Sequence, residues 1–318
     1  MEVQKSRIGP RFPGLGAWSF RVARWVTRKT MGKIGFNEID SDFARERLAH
    51  VRRKLARGET VYLAGIGLPG THNAGVALVE VTQAHGPRLI LNNEEERFSG
   101  NKHTTEYPRQ SIEAMLATLR GMGRDIADID AWLTSWDYFA LAGMLARSVF
   151  EEAPQSLSLI SVADATAFDR RRLDQMRRSP RILAKQLGLA GPVQFICMPH
   201  HGNHAWFSYA ASPFVEDGEP VAVAVLDGTG DVGSVSLYAV KDGEMRQLYC
   251  NNSMFDSLGM FYSVVSSTQG GWTWLSSEGR YMGAAAWGDM NRASNPYYSR
   301  LKHVLHLGDN GEIWLNRE

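Results

Sequence analysis

The sequence predicts an α/β fold in which one strand-and-helix pattern starts twice along the chain. Two sets of three apolar runs have the length and composition of β-strands. They occupy residues 61–66, 76–81, 88–92, 221–226, 234–240 and 245–249. In each set a glycine-bearing loop joins the first two strands, and a stretch with helical periodicity follows the third. The first copy continues through further helices and strands, which gives the order β-β-β-α-β-α-β.

The first copy is predicted to be complete and the second incomplete. Residues 59–212 would supply the first lobe, and residues 213–318 would begin the second. Beyond Trp287 we expect a polar helical stretch and no strand that would finish the second sheet. Two such lobes, with loops 67–75 and 227–233 facing each other across a nucleotide, are typical of the duplicated actin-like and sugar-kinase-like folds, whose lobes are ribonuclease H-like.

Residues 1–58 are predicted to be a helical extension packed on the main domain. Between residues 42 and 57 the apolar positions form one helical stripe, with Asp42 placed to cap the helix and Gly58 to end it. Several arginines surround Trp18 and Trp25. They leave a membrane-surface helix or a partner-docking helix as alternatives.

Composition narrows the function classes. The chain has 318 residues, of which 44% are hydrophobic and 22% charged, as in ordinary globular proteins. Its net charge of +1 gives no electrostatic case for nucleic acid as a partner. Two cysteines cannot build a disulfide framework, which favours a reducing, cytoplasmic location. No apolar stretch approaches the length of a membrane span and the start does not resemble a secretory signal, so we expect no membrane partner.

Three of the nine histidines fall within five residues, in the segment PHHGNHAW. If a helix begins just after Pro199, His200 and His204 lie at positions i and i+4 and project from one face. Two imidazoles with Asp227, the nearest well-placed carboxylate, would suit Fe, Zn, Ni or Mn. The alternative is that these histidines only cap the helix and bond to backbone. His201 points away from its neighbour, so it would contact a ligand side chain or the substrate instead.

The second chemical element is the turn DGTGD, which follows the strand at 221–226. Gly228 and Gly230 would let backbone amides approach a phosphate, and Asp227 and Asp231 could hold a cation or its water. A plain hairpin between two strands is the alternative. Two carboxylates in a five-residue turn repel each other unless a cation or a donor lies between them, which favours a binding site.

These two elements carry a resemblance to a known family. PHHGNHAW followed by LDGTGD resembles the HHxxHA and DGxGD pair of the O-carbamoyltransferases related to the nodulation and tobramycin enzymes. That family is similar in its metal-bearing domain to the hydrogenase-maturation carbamoyltransferase and the tRNA threonylcarbamoyl transferases. The resemblance extends over most of the chain from about Val61.

Three further segments resemble family motifs. THNAGVALVE is similar to an HDxxxAL element, with Asn73 in place of the usual Asp, so that this position cannot act as a base or an anionic ligand. EEERFSGNKHTTEYP is similar to EERFxRxKH, with Gly100 where arginine is common. SLGMFYSVVSSTQGGWTWLSSEGRYMGAAAWG is similar to SLGxFYxxVTxxLGFxxxxGEGKxMGLAxYG, with Ser277 for glycine and Arg280 for lysine.

The resemblance implies a role for each matched position. His72 and Lys102 would be catalytic, with His72 orienting or deprotonating the acceptor hydroxyl. His200, His204 and Asp227 would hold the metal. The nucleotide would bind at Gly228, Gly230, Asp231, Glu278, Gly279 and Gly283. The substrate would contact Asn73, Arg97, His103 and His201. For the segment with Arg97, Lys102 and His103, a solvated charge run is the alternative.

The reaction implied by the resemblance is ATP-dependent carbamoyl transfer. Carbamoyl phosphate would supply the group, carbamoyl-adenylate would carry it, and a hydroxyl of a small metabolite would accept it. Fe²⁺ is favoured as the metal, with Zn²⁺ or Mn²⁺ as alternatives, and Mg²⁺ would accompany ATP. The family has a later metal-binding Asp and a separate C-terminal domain, so a second chain or a further C-terminal segment is expected to complete the site. The alternatives are a non-catalytic nucleotide-binding or scaffold subunit, and a sugar-kinase-like phosphotransferase, which would not need clustered histidines.

Overall fold

The computed structural model describes residues 10–68, 73–154, 156, 170–268, 277–308 and 312–316. Contacts within the chain divide it into two compact units. Unit A comprises Ala23–Phe139 and Ser158–Pro199. Unit B comprises Met1–Val22, Ala140–Leu157 and His200–Glu318. The predicted division at residues 58 and 212 stays a prediction, because a grouping by contacts need not follow domain boundaries; here residues from His200 onward group with the second sheet.

The strands lie close to their predicted positions. They are β1 (Phe36–Glu38), β2 (Val61–Gly67), β3 (Gly75–Thr82), β4 (Gly86–Glu94), β5 (Ile129–Thr134), β6 (Phe195–Cys197), β7 (Val221–Leu226), β8 (Val235–Lys241), β9 (Glu244–Cys250), β10 (Leu305–Leu307) and β11 (Ile313–Leu315). Of these, β1, β10 and β11 were not predicted. Each has only three residues, which is too short to show a periodic pattern.

The helices of the described residues lie before, between and after these groups of strands. They are α1 (Pro13–Met31), α2 (Asp42–Ala56), α3 (Glu96–Ser99), α4 (Arg109–Gly121), α5 (Tyr138–Glu151), α6 (Arg170–Gln186), α7 (His200–Ala210), α8 (Phe214–Asp217), α9 (Leu258–Ser267), α10 (Glu278–Ala284) and α11 (Pro296–Leu301). Among them, no helix is both long and apolar enough to cross a membrane. The chain is thus a mixed α/β protein, as its sequence predicts.

Unit A is built on a six-stranded mixed sheet in the order β1-β6-β5-β2-β3-β4. Strands β2, β3 and β4 form an antiparallel meander, while β5, β6 and β1 add parallel strands beside β2. Helix α4 packs on β3 through Ile112, Met115 and Leu119, which are fully buried at helical spacing. This packing fixes the α3–α4 segment, which carries several predicted site residues.

Helix α2 packs on the sheet of unit A, as expected. Asp130 of β5 is buried and accepts hydrogen bonds from Lys54 Nζ at 2.8 Å and from the Tyr62 backbone nitrogen at 3.0 Å. The predicted cap of this helix is wrong by one residue. Ser41 caps it, because its backbone is extended and its side chain accepts from the Ala44 nitrogen, whereas Asp42 is already the first helical residue.

Unit B contains a second antiparallel meander, in the order β7-β8-β9. Its core is formed by Val223, Val225, Tyr238 and Val240, with Ala205 of α7 packed against them. Strands β10 and β11 pair only with each other. Within the described ranges, no later strand therefore joins the β7–β9 sheet.

The two meanders share an irregularity. The pairing of β3 with β4 shifts register between Leu78 and Val79, and the pairing of β8 with β9 shifts between Leu237 and Tyr238. The shift follows the fourth residue of β3 and the third residue of β8. The same strand order with a bulge at nearly the same place is what a repeated unit would give, since bulges are retained features of sheets. The duplicated actin-like architecture itself stays a prediction.

Candidate metal centre

Helix α7 and the turn after β7 are joined by Asp231. The backbone nitrogen of His200, the first residue of α7, donates to Asp231 Oδ1 at 2.7 Å. Asp231 is buried, with 3% of its surface exposed. A carboxylate at a helix N-terminus is stabilised by the unpaired amides and the helix dipole. The side chain predicted to bind nucleotide or metal thus holds the helix that carries the histidines.

Three side chains converge beside this junction. Nε2 of His200 lies 3.1 Å from Asp227 Oδ2 and 3.2 Å from Nε2 of His204. Nε2 of His204 lies 3.6 Å from the same oxygen of Asp227. These three groups form the cation-ligand cluster found among the described residues. The i, i+4 spacing of the histidines puts their rings on one face, as the sequence predicts.

The dimensions of this triangle fit a cation. A circle through the three donor atoms has a radius of about 1.9 Å, just below the ~2.0–2.2 Å of ordinary metal–nitrogen and metal–oxygen bonds. An ion slightly out of the plane would therefore reach all three donors. Their mutual separations are those of one face of a tetrahedral or octahedral site. The geometry can hold a cation with positions left open for other ligands.

The surroundings of Asp227 and His204 keep these two groups in the protonation states that a cation needs. Burial alone would raise the pKa of the Asp227 carboxyl, but the hydrogen bond from His200 and the nearby imidazoles lower it below its ordinary value. Burial and the neighbouring His200 lower the pKa of His204. Asp227 is therefore ionised and His204 neutral at pH 7. The His204 side chain is 52% exposed, so the cluster is open to solvent on that side.

His201 takes a different position from its two neighbours. Its ring is buried, and its Nδ1 lies 2.7 Å from Ser236 Oγ on β8. Burial, opposed by the charge of Asp227, lowers the pKa of His201 to about 4. Its Nε2 lies 3.9 Å from Asp227 Oδ2. The ring is buried beside Asp227, and the predicted role of His201 as a contact of a ligand side chain or of the substrate stays a prediction.

The two glycines of the turn do different things. A Cβ on Gly230 would lie 2.5 Å from Nε2 of His201, so only glycine leaves room for that ring. A Cβ on Gly228 would meet nothing within 4 Å. The amide of Gly228 donates to Asp227 Oδ1 at 2.6 Å, and that of Gly230 donates to the Gly233 carbonyl at 2.6 Å. Both amides already have acceptors in the turn, which is the loop of a hairpin between β7 and β8; phosphate binding there stays a prediction.

Helix α9 supports the same turn from below. Ser257 Oγ lies 3.0 Å from the carbonyl oxygen of Asp227 and 2.7 Å from that of Gly228. Ser257 Oγ also caps α9 by accepting a hydrogen bond from the Met260 backbone nitrogen. Sequence reasoning did not single out Ser257 or Ser236. For Ser257, the available signal was a serine directly before a helix start.

The remaining predicted nucleotide residues lie on α10. Glu278, its first residue, accepts a hydrogen bond from Ser263 Oγ and so ties α10 to α9. A Cβ on Gly279 or on Gly283 would meet nothing within 4 Å. The surface of this helix is open at both glycines. Nucleotide binding here stays a prediction.

Unit A holds the other predicted residues. Asn73 Oδ1 lies 3.3 Å from His103 Nδ1, and the His103 backbone nitrogen donates to Glu96 Oε2 at 2.8 Å. Asn73 and His103 both have left-handed backbones, with φ of 61° and 54°. Arg97 and Lys102 are exposed on the same α3–α4 segment. The structure thus joins Asn73 with His103, whereas His72 lies outside the described residues.

Comparisons with known proteins agree with the resemblance carried by these motifs. A family model described as "Carbamoyltransferase N-terminus" matches residues 64–310. Nodulation protein NolNO of Sinorhizobium fredii is 28% identical over 257 residues, which are 79% of this chain and 33% of that protein. Uncharacterized protein sll1178 of Synechocystis sp. is 27% identical over 256 residues, which are 77% of this chain and 37% of that protein. The chain spans about a third of the length of these curated relatives. Since the family model covers well over half of the sequence, the chain belongs to the carbamoyltransferase family and corresponds to its N-terminal part.

Proposed function

We propose that this chain is the cation-bearing part of an ATP-dependent O-carbamoyltransferase. Carbamoyl phosphate supplies the carbamoyl group, ATP activates it as carbamoyl-adenylate, and a hydroxyl of a small metabolite accepts it. For the atoms to balance, water releases phosphate from carbamoyl phosphate, the resulting carbamate displaces pyrophosphate from ATP, and the hydroxyl displaces AMP. Membership of the carbamoyltransferase family supports carbamoyl transfer in general.

The observation that carries this proposal is the triangle formed by His200, His204 and Asp227. Its sides of 3.1, 3.2 and 3.6 Å match one face of a metal coordination sphere. Imidazole and carboxylate together suit Fe²⁺, which the resemblance favours, and also Zn²⁺ or Mn²⁺. When bound, such a cation would polarise a phosphate or carbonyl oxygen as a Lewis acid.

The residues around the triangle determine how a substrate could reach it. The ligand set would bring only the single negative charge of Asp227, so a divalent cation held there would still attract an anionic substrate oxygen. The half-exposed side chain of His204 marks the open side. Asp231 fixes the start of α7, where His200 lies, and Ser257 fixes the carbonyl groups of the turn that carries Asp227. The ligands His200 and Asp227 are therefore held in place before a substrate binds.

Residues of unit A are proposed to bind the anionic parts of the substrates. Arg97, Lys102 and His103 supply positive or hydrogen-bonding groups suited to carbamoyl phosphate or to a nucleotide phosphate. Asn73 is proposed to contact the same substrate, and Mg²⁺ is proposed to accompany ATP. His72 is proposed to orient or deprotonate the acceptor hydroxyl.

A further polypeptide is proposed to complete the site. The relatives are about three times as long as the segment matched here. Large apolar side chains on α10 and the residues after it are strongly exposed: Met282 by 65%, Trp287 by 93% and Met290 by 91%. An apolar surface of this kind is typical of a protein–protein or domain contact. The two observations together support a second chain or a C-terminal segment that covers this region.

The proposal is tested by measuring pyrophosphate release from ATP that depends on carbamoyl phosphate, which needs no knowledge of the acceptor. The purified chain should release little or none. Addition of the polypeptide encoded next to this chain, or of a C-terminal segment if the chain continues, should restore release. Restored activity should be abolished by His204→Ala and left unchanged by the matched variant His85→Ala, since His85 lies exposed in the β3–β4 turn.

The main competing function is that of a scaffold that binds nucleotide without chemistry. In that case the completed assembly would bind ATP but release no pyrophosphate with carbamoyl phosphate. Efficient carbamoyl transfer by residues 1–318 alone would contradict the need for a further polypeptide. Transfer of phosphate from ATP to a sugar, without any need for the histidines, would point to a kinase instead.

A further inference from the structure

Among the described residues, His201 is a buried histidine that the proposed chemistry does not use. The residue is buried, with only 5% of its surface exposed. Its Nε2 has almost no contact with solvent and no hydrogen-bond partner. Buried polar atoms are paired in nearly all proteins, so an unpaired one needs a reason. The carboxylate oxygen Asp227 Oδ2 lies 3.9 Å from this nitrogen.

The contacts on the other side of the ring favour one of its two neutral tautomers. The side-chain nitrogen of Gln247 on β9 donates to Ser236 Oγ at 3.2 Å. An amide nitrogen cannot accept, so Ser236 accepts there and its own hydroxyl proton is available for His201 Nδ1, at 2.7 Å. A neutral imidazole that accepts at Nδ1 must carry its proton on Nε2. The ionised carboxylate of Asp227 can only accept, whereas the hydroxyl of Ser236 can donate or accept, so the Nε2–H tautomer is the one that suits both neighbours of the ring.

His201 differs from its two histidine neighbours. His201 is not part of the cation-ligand cluster, which among the described residues comprises His200, His204 and Asp227. Its Nε2 lies 3.9 Å from the carboxylate oxygen of Asp227 that the other two rings also approach. The space for the ring depends on Gly230, where any side chain would collide with it. The position of the His201 ring therefore requires glycine at position 230 of the turn.

We propose that His201 is a positioning residue, held by Ser236 as the Nε2–H tautomer and directed at Asp227 Oδ2, which it keeps oriented toward His200 and His204. Groups that hydrogen-bond to metal ligands fix their orientation, and their loss commonly lowers metal affinity about 10–100-fold. The inference deepens the proposed function, because the oriented carboxylate is one of the proposed cation ligands. It does not depend on the identity of the transferred group.

The tautomer is tested first, in the metal-free full chain at neutral pH. Nitrogen-15 NMR of the imidazoles should show His201 protonated at Nε2 and unprotonated at Nδ1. Ser236→Ala should weaken that preference. Asp227→Asn should move the Nε2 proton resonance and speed its exchange with solvent, because the charged acceptor is lost. A His201 ring protonated at Nδ1, or an Nε2 proton indifferent to Asp227→Asn, would overturn the proposal.

The effect on the cation site is tested by titration with Co²⁺ followed by its visible absorption. His201→Leu, which keeps the volume but removes the donor, should weaken binding about 10–100-fold. His201→Gln should retain affinity within a few-fold, since its side-chain nitrogen can replace the Nε2 donor, and His85→Gln should not change it. Equal affinity of His201→Leu and the unchanged protein, or equal weakness of the Leu and Gln variants, would contradict a positioning role.

The two proposals can fail separately. If the chain and its completed assembly bind Co²⁺ normally but release no pyrophosphate, the carbamoyltransferase proposal fails while the role of His201 stands or falls by the titrations. If Co²⁺ does not bind at all, the cation site is refuted, and the NMR measurements on the metal-free chain still decide the tautomer and its direction toward Asp227.

Discussion

Gly259, in the first turn of α9, lies directly against the peptide that joins Asp227 to Gly228. A Cβ at position 259 would stand 2.6 Å from the nitrogen of Gly228 and 2.8 Å from the carbonyl carbon of Asp227. Both are backbone atoms, which cannot move aside as the end of a flexible side chain can. The turn that carries the cation-binding carboxylate is therefore packed on α9 at a distance that only glycine allows.

This contact predicts that Gly259→Ala damages the cation site from outside it. The added methyl group should displace the turn and move the Asp227 carboxylate out of its triangle, with a cost to stability of about 1–3 kcal/mol, as for other overpacked sites. Titration with Zn²⁺ or Co²⁺ should show affinity reduced at least tenfold. Gly121→Ala, at an α4 position where a Cβ would meet nothing within 4 Å, is the matched control and should bind normally. Normal binding by Gly259→Ala would mean that the turn adapts.

Removal of one ligand should abolish cation binding without unfolding the protein. His204 is half exposed, so His204→Ala should change the free energy of unfolding by no more than about 0.5 kcal/mol, as is usual at surface sites. Asp227→Asn should likewise lose the cation, because the negative charge is removed. Equilibrium dialysis and thermal unfolding measure the two effects separately. A His204→Ala variant that binds Zn²⁺ as tightly as the unchanged chain would exclude the triangle as the site.

Asp231 should behave as a helix cap. Asp231→Ala removes the acceptor of the His200 nitrogen, so it should destabilise the protein by about 0.5–2 kcal/mol and weaken cation binding by loosening the start of α7. Asp231→Asn keeps an acceptor that caps helices well, so it should retain both properties largely intact. Thermal unfolding and Co²⁺ titration of the two variants distinguish the roles. If the Asn variant lost the cation while keeping stability, the charge of Asp231 would belong to the site.

The parts of the fold that could be predicted are those encoded by local patterns. The run at 221–226 is a strand with the predicted bounds, because six apolar residues between polar segments leave little choice of structure. The i, i+4 spacing of His200 and His204 likewise fixes their shared face through helix geometry alone. Strand β1 could not be found this way, because its three residues pair with β6, which lies far along the sequence.

The parts of the site that could not be predicted depend on packing between distant segments. Nothing in the turn sequence shows that Gly230 makes room for His201 while Gly228 faces open space. The same applies to Ser236, whose hydroxyl contacts His201 only because β8 lies under α7. The roles of Gly230 and Ser236 depend on where α7 packs on the β7–β9 meander. The sequence pattern does not predict the distances from these two residues to His201.

The last prediction concerns Cys197, at the end of β6. Its side chain is fully buried. In the sheet, residue 197 lies between β1 and β5, opposite Glu38 and Thr134. Burial raises the pKa of this thiol from an ordinary 9.0 to about 12. Because the thiolate is the reactive form, Cys197 should resist alkylation in the folded chain at pH 8 and react once the chain is unfolded in denaturant.

A Cys250→Ser variant leaves Cys197 as the single thiol, so that the alkylation rate of Cys197 can be measured alone. The raised pKa also stabilises the fold fully below pH 9, and this contribution is lost as the pH rises from 9 toward 12. Fast alkylation of the folded Cys250→Ser variant, at the rate of the unfolded chain, would show that β6 opens to solvent.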